Sequence, residues 1–417
     1  MRIRRSRQLI KSLGPGIITG AADDDPSGIA TYSIAGAQFG LGLIWLSLFT
    51  WPLMAAVEMT CARVGMVTGQ GLIGAFRKKF SRPVLLLACG ALFVANTINV
   101  GADLAGMADA AALLAGVRAQ YAVVVFGIAI TAATIGLRYV AIERVLKWLV
   151  LVLFAYVVTP FLLAPHWPSV LHATLVPSIP HSGNGWATIV AILGTTISPY
   201  LFFWQASEEV EEEKALGRRR LTDRVGATGN ELLTRRIDVT VGTLFSNVVM
   251  FFIILTTALT LNAHGVTNPR TSLEVATALR PFGGHWTVLL FTVGLVGTGA
   301  LTIPTLAGSS AYAFAEIFGW RQGMDESYRR ARAFYMVVAV SVVVGIALDF
   351  AGVNPVRALY WTAVINGVLA PFLLVGLVIA ASDSRLMHGQ PTPRLTLGIV
   401  VFTAALMFAA AIGMFAL

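Results

Sequence analysis

The sequence predicts an all-α polytopic membrane protein, built from two inverted halves of five spans and an eleventh span. Of its 417 residues, 56% are hydrophobic and only 12% are charged, a composition that soluble domains of this length do not have. The apolar residues group into eleven stretches long enough to cross a bilayer. The first and sixth stretches each contain a proline near the middle, and these two stretches occupy matching positions in the two halves.

We predict one transmembrane domain over residues 1–417, because the connections between spans are short. Spans one to five form the first half, 13–164, and spans six to ten form the second, 186–382. Since five is odd, the halves have opposite orientations in the membrane; the extra span is 394–416. The predicted spans are 13–40, 42–66, 83–116, 119–137, 145–164, 186–213, 237–262, 284–317, 333–350, 358–382 and 394–416.

Basic residues predict the orientation, because cytoplasmic segments carry an excess of Lys and Arg. With the N-terminus inside, the outer loops hold only Arg118, Arg270, Arg280 and Arg357. We therefore predict a bacterial-type inner membrane protein with a cytoplasmic N-terminus and an outer C-terminus. The excess of 30 Lys and Arg over 21 Asp and Glu reflects this bias, so we expect no nucleic-acid partner. We expect a monomer in the lipid bilayer.

The first span carries three consecutive aspartates directly before Pro26. An ionised Asp at the centre of a bilayer costs about 3 kcal/mol unless it meets water, a partner or a bound ion. Pro26 breaks the helix, and broken backbone at membrane depth is tolerated only where it lines a cavity or packs against protein. The feature predicts a cation site, with a divalent metal ion as the partner.

The sixth span is also broken, at Pro199, which follows Thr195 and Ser198. Interrupted helices at matching positions in two halves are typical of transporters that bind substrate between inverted repeats. Two ordinary proline kinks are the alternative interpretation.

Six segments carry recognisable motifs: Gly14-Pro15-Gly16, Asp25-Pro26-Ser27-Gly28, Arg63–Gly69, Asp103-Leu104-Ala105, Gly194–Tyr200 and the small-residue segment 292–313. These motifs resemble those of the Nramp divalent-metal transporters. The resemblance implies a LeuT-type fold, with a 5+5 inverted repeat, discontinuous helices 1 and 6 and one extra helix. It also implies secondary transport of a divalent metal by alternating access, with no cofactor and no enzyme activity.

The chain departs from the family pattern at the expected metal ligands. Gly28 stands where the family has a ligating Asn, Ser198 where it has a metal-binding Met, and Tyr200 where it has His. This pattern resembles the Nramp-related branch that lacks the methionine and includes magnesium transporters.

A thioether suits transition metals, whereas carboxylate, hydroxyl and carbonyl oxygens suit Mg²⁺ and Mn²⁺. We therefore predict an oxygen-lined site that prefers hard ions and has extra room for a partly hydrated ion. The resemblance implies that Asp25 is the main ligand. Successive helical residues differ by about 100° in direction, so the three aspartates cannot all face one ion, and we expect Asp23 or Asp24 to cap the half-helix or bond a neighbour. The predicted metal-site residues are Asp25, Ser198, Thr195, Ala22 through its carbonyl, Gly28, Asp24 and Asn366.

Asp103 and Glu58 are the candidates for proton coupling. The resemblance places Gly106 where the family has an acid linked to proton movement, so we expect weak or no coupling. Alternatively, both acids pair with Arg63 in a structural network.

Three other functions compete with this interpretation. The first is a conventional proton-coupled importer of Mn²⁺ or Fe²⁺. The second is an amino-acid or small organic cation transporter of the same fold, although three aspartates would repel a substrate carboxylate. The third is a membrane sensor or scaffold. No nucleophile–base pair, phosphate loop or metalloprotease motif suggests an enzyme.

Overall fold

The computed structural model describes residues 19–20, 22–137, 151–180 and 182–416. Within these ranges all regular secondary structure is helical. The helices of ten or more residues are α1 (Pro26–Phe39), α2 (Trp45–Thr68), α3 (Arg82–Ala115), α4 (Ala119–Gly136), α5 (Phe154–Leu163), α6 (Gly183–Thr196), α7 (Pro199–Ala215), α8 (Gly229–Thr260), α9 (Thr287–Phe318), α10 (Arg332–Asp349), α11 (Pro355–Ser382) and α12 (Arg394–Ala416).

Each predicted span contains a helix. In the described part of the chain, eight helical segments are long and apolar enough to cross a membrane, with α6 and α7 counted together. The other three predicted spans contain α1, α2 and α5. Residues 13–18 and 21 of the first span and 145–150 of the fifth lie outside the described residues. The protein is therefore a multi-pass membrane protein, as the composition predicts.

Shorter helices lie in the connections, at Leu72–Phe76, Trp167–Leu175, Leu221–Arg224, Ser272–Ala276 and Arg280–Gly283. The connection between α2 and α3 is tied to the end of α11 by an ion pair between Lys79 and Asp383. The hydrogen bond from Lys79 lowers the pKa of the Asp383 carboxyl to about 2.

Both predicted breaks are present. Residues 22–23 are helical, Asp25 has extended backbone (φ −71°, ψ 170°), and α1 then begins at Pro26. Likewise α6 ends at Thr196, Ser198 is extended, and α7 begins at Pro199. Each proline occupies the first position of the second half-helix, where its missing N–H costs nothing and its fixed φ suits the helix.

Small residues let neighbouring helices pack backbone to backbone. A β-carbon on Gly194 of α6 would lie 2.1 Å from the Ala363 carbonyl oxygen and 2.2 Å from the Gly367 nitrogen, both on α11. In the segment before the first break, a β-carbon on Gly20 would lie 2.2 Å from the Gly242 carbonyl oxygen of α8. These contacts position the two broken helices against their neighbours.

Candidate functional site

Asp25 lies at the first break and is 1% exposed. Its Oδ1 accepts hydrogen bonds from the backbone N–H of Gly28 (2.5 Å) and the hydroxyl of Ser27 (2.7 Å), so it caps α1. Its Oδ2 accepts one longer bond, of 3.3 Å, from Nδ2 of Asn99 on α3. Because each carboxylate oxygen has more than one lone pair, Oδ2 keeps acceptor capacity for an ion.

The two breaks meet at Gly28. A β-carbon on this residue would lie 3.1 Å from Thr195 Oγ1 and 3.3 Å from both the Asp23 carbonyl oxygen and Asp25 Oδ1. Three oxygens from both breaks therefore surround position 28. These oxygens occupy the space that a side chain at position 28 would take, and the extra room for a partly hydrated ion stays a prediction.

Ser198 and Thr195 contribute oxygens from the second break, and both are at most 2% exposed. The Ser198 hydroxyl donates to the carbonyl oxygens of Gly194 (2.6 Å) and Thr195 (2.8 Å). A hydroxyl has one hydrogen and two lone pairs, so Ser198 Oγ retains acceptor capacity while it stabilises the end of α6.

The Ala22 carbonyl, a predicted ligand, is already hydrogen-bonded in this structure. It accepts from the Tyr200 hydroxyl at 2.9 Å and from Thr302 Oγ1 of α9 at 3.1 Å. Tyr200, at the position where the family has His, therefore connects the two breaks directly. An ion that took the Ala22 oxygen as a ligand would compete with these hydroxyls.

Asp23 and Asp24 face α8. The Ser246 hydroxyl donates to Oδ2 of Asp23 and contacts Oδ1 of Asp24 at 3.3 Å. The other carboxylate oxygen of each residue is buried without a hydrogen-bond partner. These two aspartates therefore differ from Asp25 in their contacts, as expected of successive residues with different directions.

Asp103 and Glu58 are buried, and no side chain of the described residues donates a hydrogen bond to either carboxylate. Asp103 lies one helical turn after Asn99, and its charge interacts with that of Asp25 and with the backbone of Ser27. Glu58 interacts with Asp23, more weakly than Asp24 and Asp25 do. The alternative in which both acids pair with Arg63 is wrong for this structure. The Nε of Arg63 donates instead to the Gln390 carbonyl oxygen, at 3.1 Å.

Five carboxyl groups are thus buried around the first break. None of them forms an ion pair with a Lys or Arg of the described residues; they are Asp23, Asp24, Asp25, Glu58 and Asp103. Unpaired charges in a low-dielectric interior are very costly. The arrangement therefore requires bound cations, protons or both.

Asn366 lies on α11 and is 1% exposed, with no partner for its Oδ1. The adjacent Gly367 packs against α6, where its β-carbon would lie 2.2 Å from the Val190 carbonyl oxygen. Asn366 thus lies at the contact between α11 and α6, and its role as a ligand stays a prediction.

The sequence interpretation missed Asn99, Ser246, Thr302 and Met107. The spacing of Asn99 and Asp103, four residues apart on α3, was a signal that both face the same side. Met107 packs with Pro26 against Gly299, so a thioether lies near the break on a different helix from the expected one. Among the residues described, no group of three His, Cys, Asp or Glu side chains could hold a metal ion.

The chain matches the family model Nramp, natural resistance-associated macrophage protein-like, over residues 16–417. It is 25% identical over 399 residues to the divalent metal cation transporter MntH of Bacillus subtilis, covering 93% of this chain and 87% of that protein. It is 28% identical over 306 residues to MntH of Yersinia pestis, covering 71% of each.

Solved structures share the fold. The manganese transporter of Eremococcus coleocola superimposes with a TM-score of 0.75 at 18% identity, over 97% of this chain and 87% of that one. The nucleobase-cation-symport-1 transporter Mhp1 gives 0.54 at 16% identity, covering 96% and 91%. The fold is the LeuT-type arrangement that the family resemblance implies. With a family model matched along nearly its whole length, this chain belongs to the Nramp family.

Proposed function

We propose that this protein is a secondary transporter of divalent metal cations that works by alternating access around its two helix breaks. The observation that carries this proposal is the group of five buried carboxyl groups without a described basic partner. Relatives named divalent metal cation transporter support the same substrate class. The partner is then a transported ion, and no resident cofactor or catalytic role is assigned.

We infer a preference for hard ions, Mg²⁺ and Mn²⁺. The polar atoms that meet between the breaks are oxygens of Asp25, Thr195, Ser198 and the Asp23 backbone. Oxygen ligands of this kind suit hard cations. Met107 favours a second candidate, a conventional importer of Mn²⁺ or Fe²⁺, because its thioether packs beside Pro26 and is a softer donor.

We also infer weak or absent proton coupling. Between Arg82 and Asp103, α3 carries no other titratable acid, and Thr97 pairs with Ser341 of α10 through their hydroxyls at 3.0 Å. Gly106 faces leucines, since its β-carbon would lie 2.9 Å from Leu359 Cδ1. A proton leaving Asp103 towards the Arg82 end of α3 would find no carboxylate on that helix to receive it.

Burial of the candidate ligands supports alternating access. Asp25, Thr195, Ser198 and Asn366 are all at most 2% exposed, so one side must open before an ion can enter or leave. We place the basic end, with the N-terminus, in the cytoplasm, and we assign the transport unit to a monomer.

Competition for uptake tests the ion preference. Proteoliposomes containing the protein take up labelled Mn²⁺, and we expect excess Mg²⁺ at millimolar concentration to suppress this uptake. Empty liposomes are the control for leakage. Uptake that millimolar Mg²⁺ leaves unchanged would support the conventional importer instead.

A pH-sensitive dye in the lumen tests the coupling. We expect Mn²⁺ uptake at a fixed membrane potential to proceed without a matching change in lumenal pH. Acidification in proportion to metal uptake would contradict the proposal and would assign Asp103 and Glu58 as proton carriers.

A further inference from the structure

A polar cavity of about 410 Å³ lies between α2, α8 and α12, away from the two breaks. It is formed where α2 approaches its end and where α8 and α12 begin, at the end of the molecule that carries the basic clusters. Two arginines, Arg63 and Arg236, line it together with the hydroxyl residues Thr240, Thr392 and Thr396. None of its lining residues is acidic.

The two arginines are not neutralised by described carboxylates. Arg63 donates only its Nε, to the Gln390 carbonyl oxygen, and Arg236 is exposed with no ion pair. The adjacent Arg235 behaves differently, because it is buried and pairs with Glu209 and Asp238. The cavity therefore carries two positive charges whose donors are available to an anion.

Two neutral donors strengthen this conclusion. Thr392 is 5% exposed, and its hydroxyl has no hydrogen-bond partner. The indole N–H of Trp51, also in the lining, is buried without a partner. Buried donors without acceptors are costly, and a bound anion with several acceptor oxygens would satisfy them.

An apolar crevice of about 160 Å³ continues from this cavity between α2 and α8 and shares Trp51 with it. Leu48, Leu244 and Val248 line the crevice, and each is 41–42% exposed. Arg236, Thr240, Leu244 and Val248 are four residues apart, so they form one stripe on α8. From Thr240 to Phe252 the stripe extends roughly 18 Å along the axis of α8.

We propose that this surface binds an anionic phospholipid, with its phosphate on Arg63 and Arg236 and an acyl chain in the crevice. Basic pockets between transmembrane helices at the basic side suit such headgroups. The adjoining apolar crevice favours a lipid over free phosphate, which would use only the arginine cavity. The lipid would connect the extra helix α12 to α2 and α8, and this inference stands independently of the transported ion.

Lipid titration of the purified full-length protein tests the proposal. Delipidated protein in a neutral detergent is titrated with phosphatidylglycerol or phosphatidylcholine, and bound lipid is counted by native mass spectrometry. We expect phosphatidylglycerol to bind more tightly than phosphatidylcholine. The double variant Arg63→Gln/Arg236→Gln should lose roughly twenty-fivefold in phosphatidylglycerol affinity, at about fivefold for each arginine. The matched control, Arg329→Gln/Arg332→Gln, removes two exposed arginines from the same end and should bind as the wild type does.

Equal binding by the double variant and its control, or equal binding of the two lipids, would overturn the proposal. If the double variant does not fold, Thr392→Val removes only the unpartnered hydroxyl and should lower phosphatidylglycerol affinity by a few fold. Inorganic phosphate is titrated in parallel, and competition by millimolar phosphate that abolishes lipid binding would assign the cavity to free phosphate instead.

Discussion

In the proposed site, Asp25 has a structural and a chemical task on separate oxygens. Oδ1 caps α1 through Gly28 and Ser27, and such a cap contributes about 1 kcal/mol. Oδ2 has only the 3.3 Å bond from Asn99 and is the oxygen that we propose as the ion ligand. The two tasks make this residue sensitive both to loss of charge and to loss of shape, and substitutions can separate them.

We expect Asp25→Asn to fold normally but to lose metal binding by about a hundredfold or more. Asn is as good a helix cap as Asp, and the Asn99 amide can turn its unpartnered Oδ1 toward the new side chain. Binding of Mn²⁺ by calorimetry and thermal unfolding give the two readouts. Asp25→Ala, the comparison, should lose both the ion and the cap, and wild-type affinity in the Asn variant would contradict the assignment.

Ser198→Met should move the ion preference toward soft metals. The change places a thioether between the breaks, and sulfur ligands favour transition metals. We expect Cd²⁺ affinity to rise about tenfold relative to Mg²⁺, measured on purified protein. Ser198→Ala removes the hydroxyl without adding sulfur and serves as the control; a Cd²⁺ affinity unchanged between the Met and Ala variants would exclude Ser198 from the ion's surroundings.

At the scale of the elements, each broken helix is held by glycine contacts as well as by its proline. Gly194 and Gly367 allow α6 and α11 to approach with backbone against backbone. Since Ser198 and Thr195 are only a few residues beyond Gly194, this crossing determines where their oxygens lie relative to Asp25. The glycines are therefore part of the site's geometry although no ion would contact them.

Gly194→Ala should destabilise the protein by about 1–3 kcal/mol, the usual cost of overpacking, because its β-carbon would meet backbone atoms of α11 that have little freedom to move. Gly90→Ala on α3 is the matched control, since nothing lies within 4 Å of its β-carbon. There, stability should stay unchanged or rise by less than about 1 kcal/mol through better helix propensity. Thermal unfolding in detergent compares the two, and equal stability would refute the role of this crossing.

Across the whole molecule, a chain of polar contacts joins the segment before the first break to α8. Thr19 donates to Gln205 Oε1 (2.5 Å), Gln205 donates to Glu209 (2.6 Å), and Glu209 accepts from Arg235 (2.8 Å). Arg235 also bonds Asp238 at 2.6 Å. These buried contacts close the basic end beneath the candidate site, and access from that side requires them to separate.

Arg235→Gln should weaken this closure, because it leaves the buried carboxylates of Glu209 and Asp238 without their positive partner. Such a change typically costs about 3–5 kcal/mol. We expect a lower unfolding temperature and faster maleimide labelling of a cysteine introduced as Thr19→Cys. Cys61 and Cys89 are buried and add little background. Arg236→Gln, one residue away and without an ion pair, is the control; identical labelling in the two variants would argue against a closing role.

The sequence by itself determined the membrane class and the two breaks, with Asp25 directly before the first; the role of Asp25 as a ligand stays a prediction. Spans are recognisable because the length of an apolar stretch is a local property of the sequence. A proline that follows three aspartates interrupts a helix whatever the helix packs against. The family resemblance added the fold, which the shared architecture of the solved transporters confirms. The boundaries of the two halves, the ion and the proton coupling stay predictions.

Only the tertiary structure decided which side chains meet at the breaks. Asn99, Ser246 and Thr302 reach the broken segment from α3, α8 and α9, and Arg63 turns to Gln390 rather than to an acid. These contacts join residues from about 70 to 330 positions apart in the chain, so no local pattern encodes them. They depend on how the helices rotate and cross, which packing alone determines.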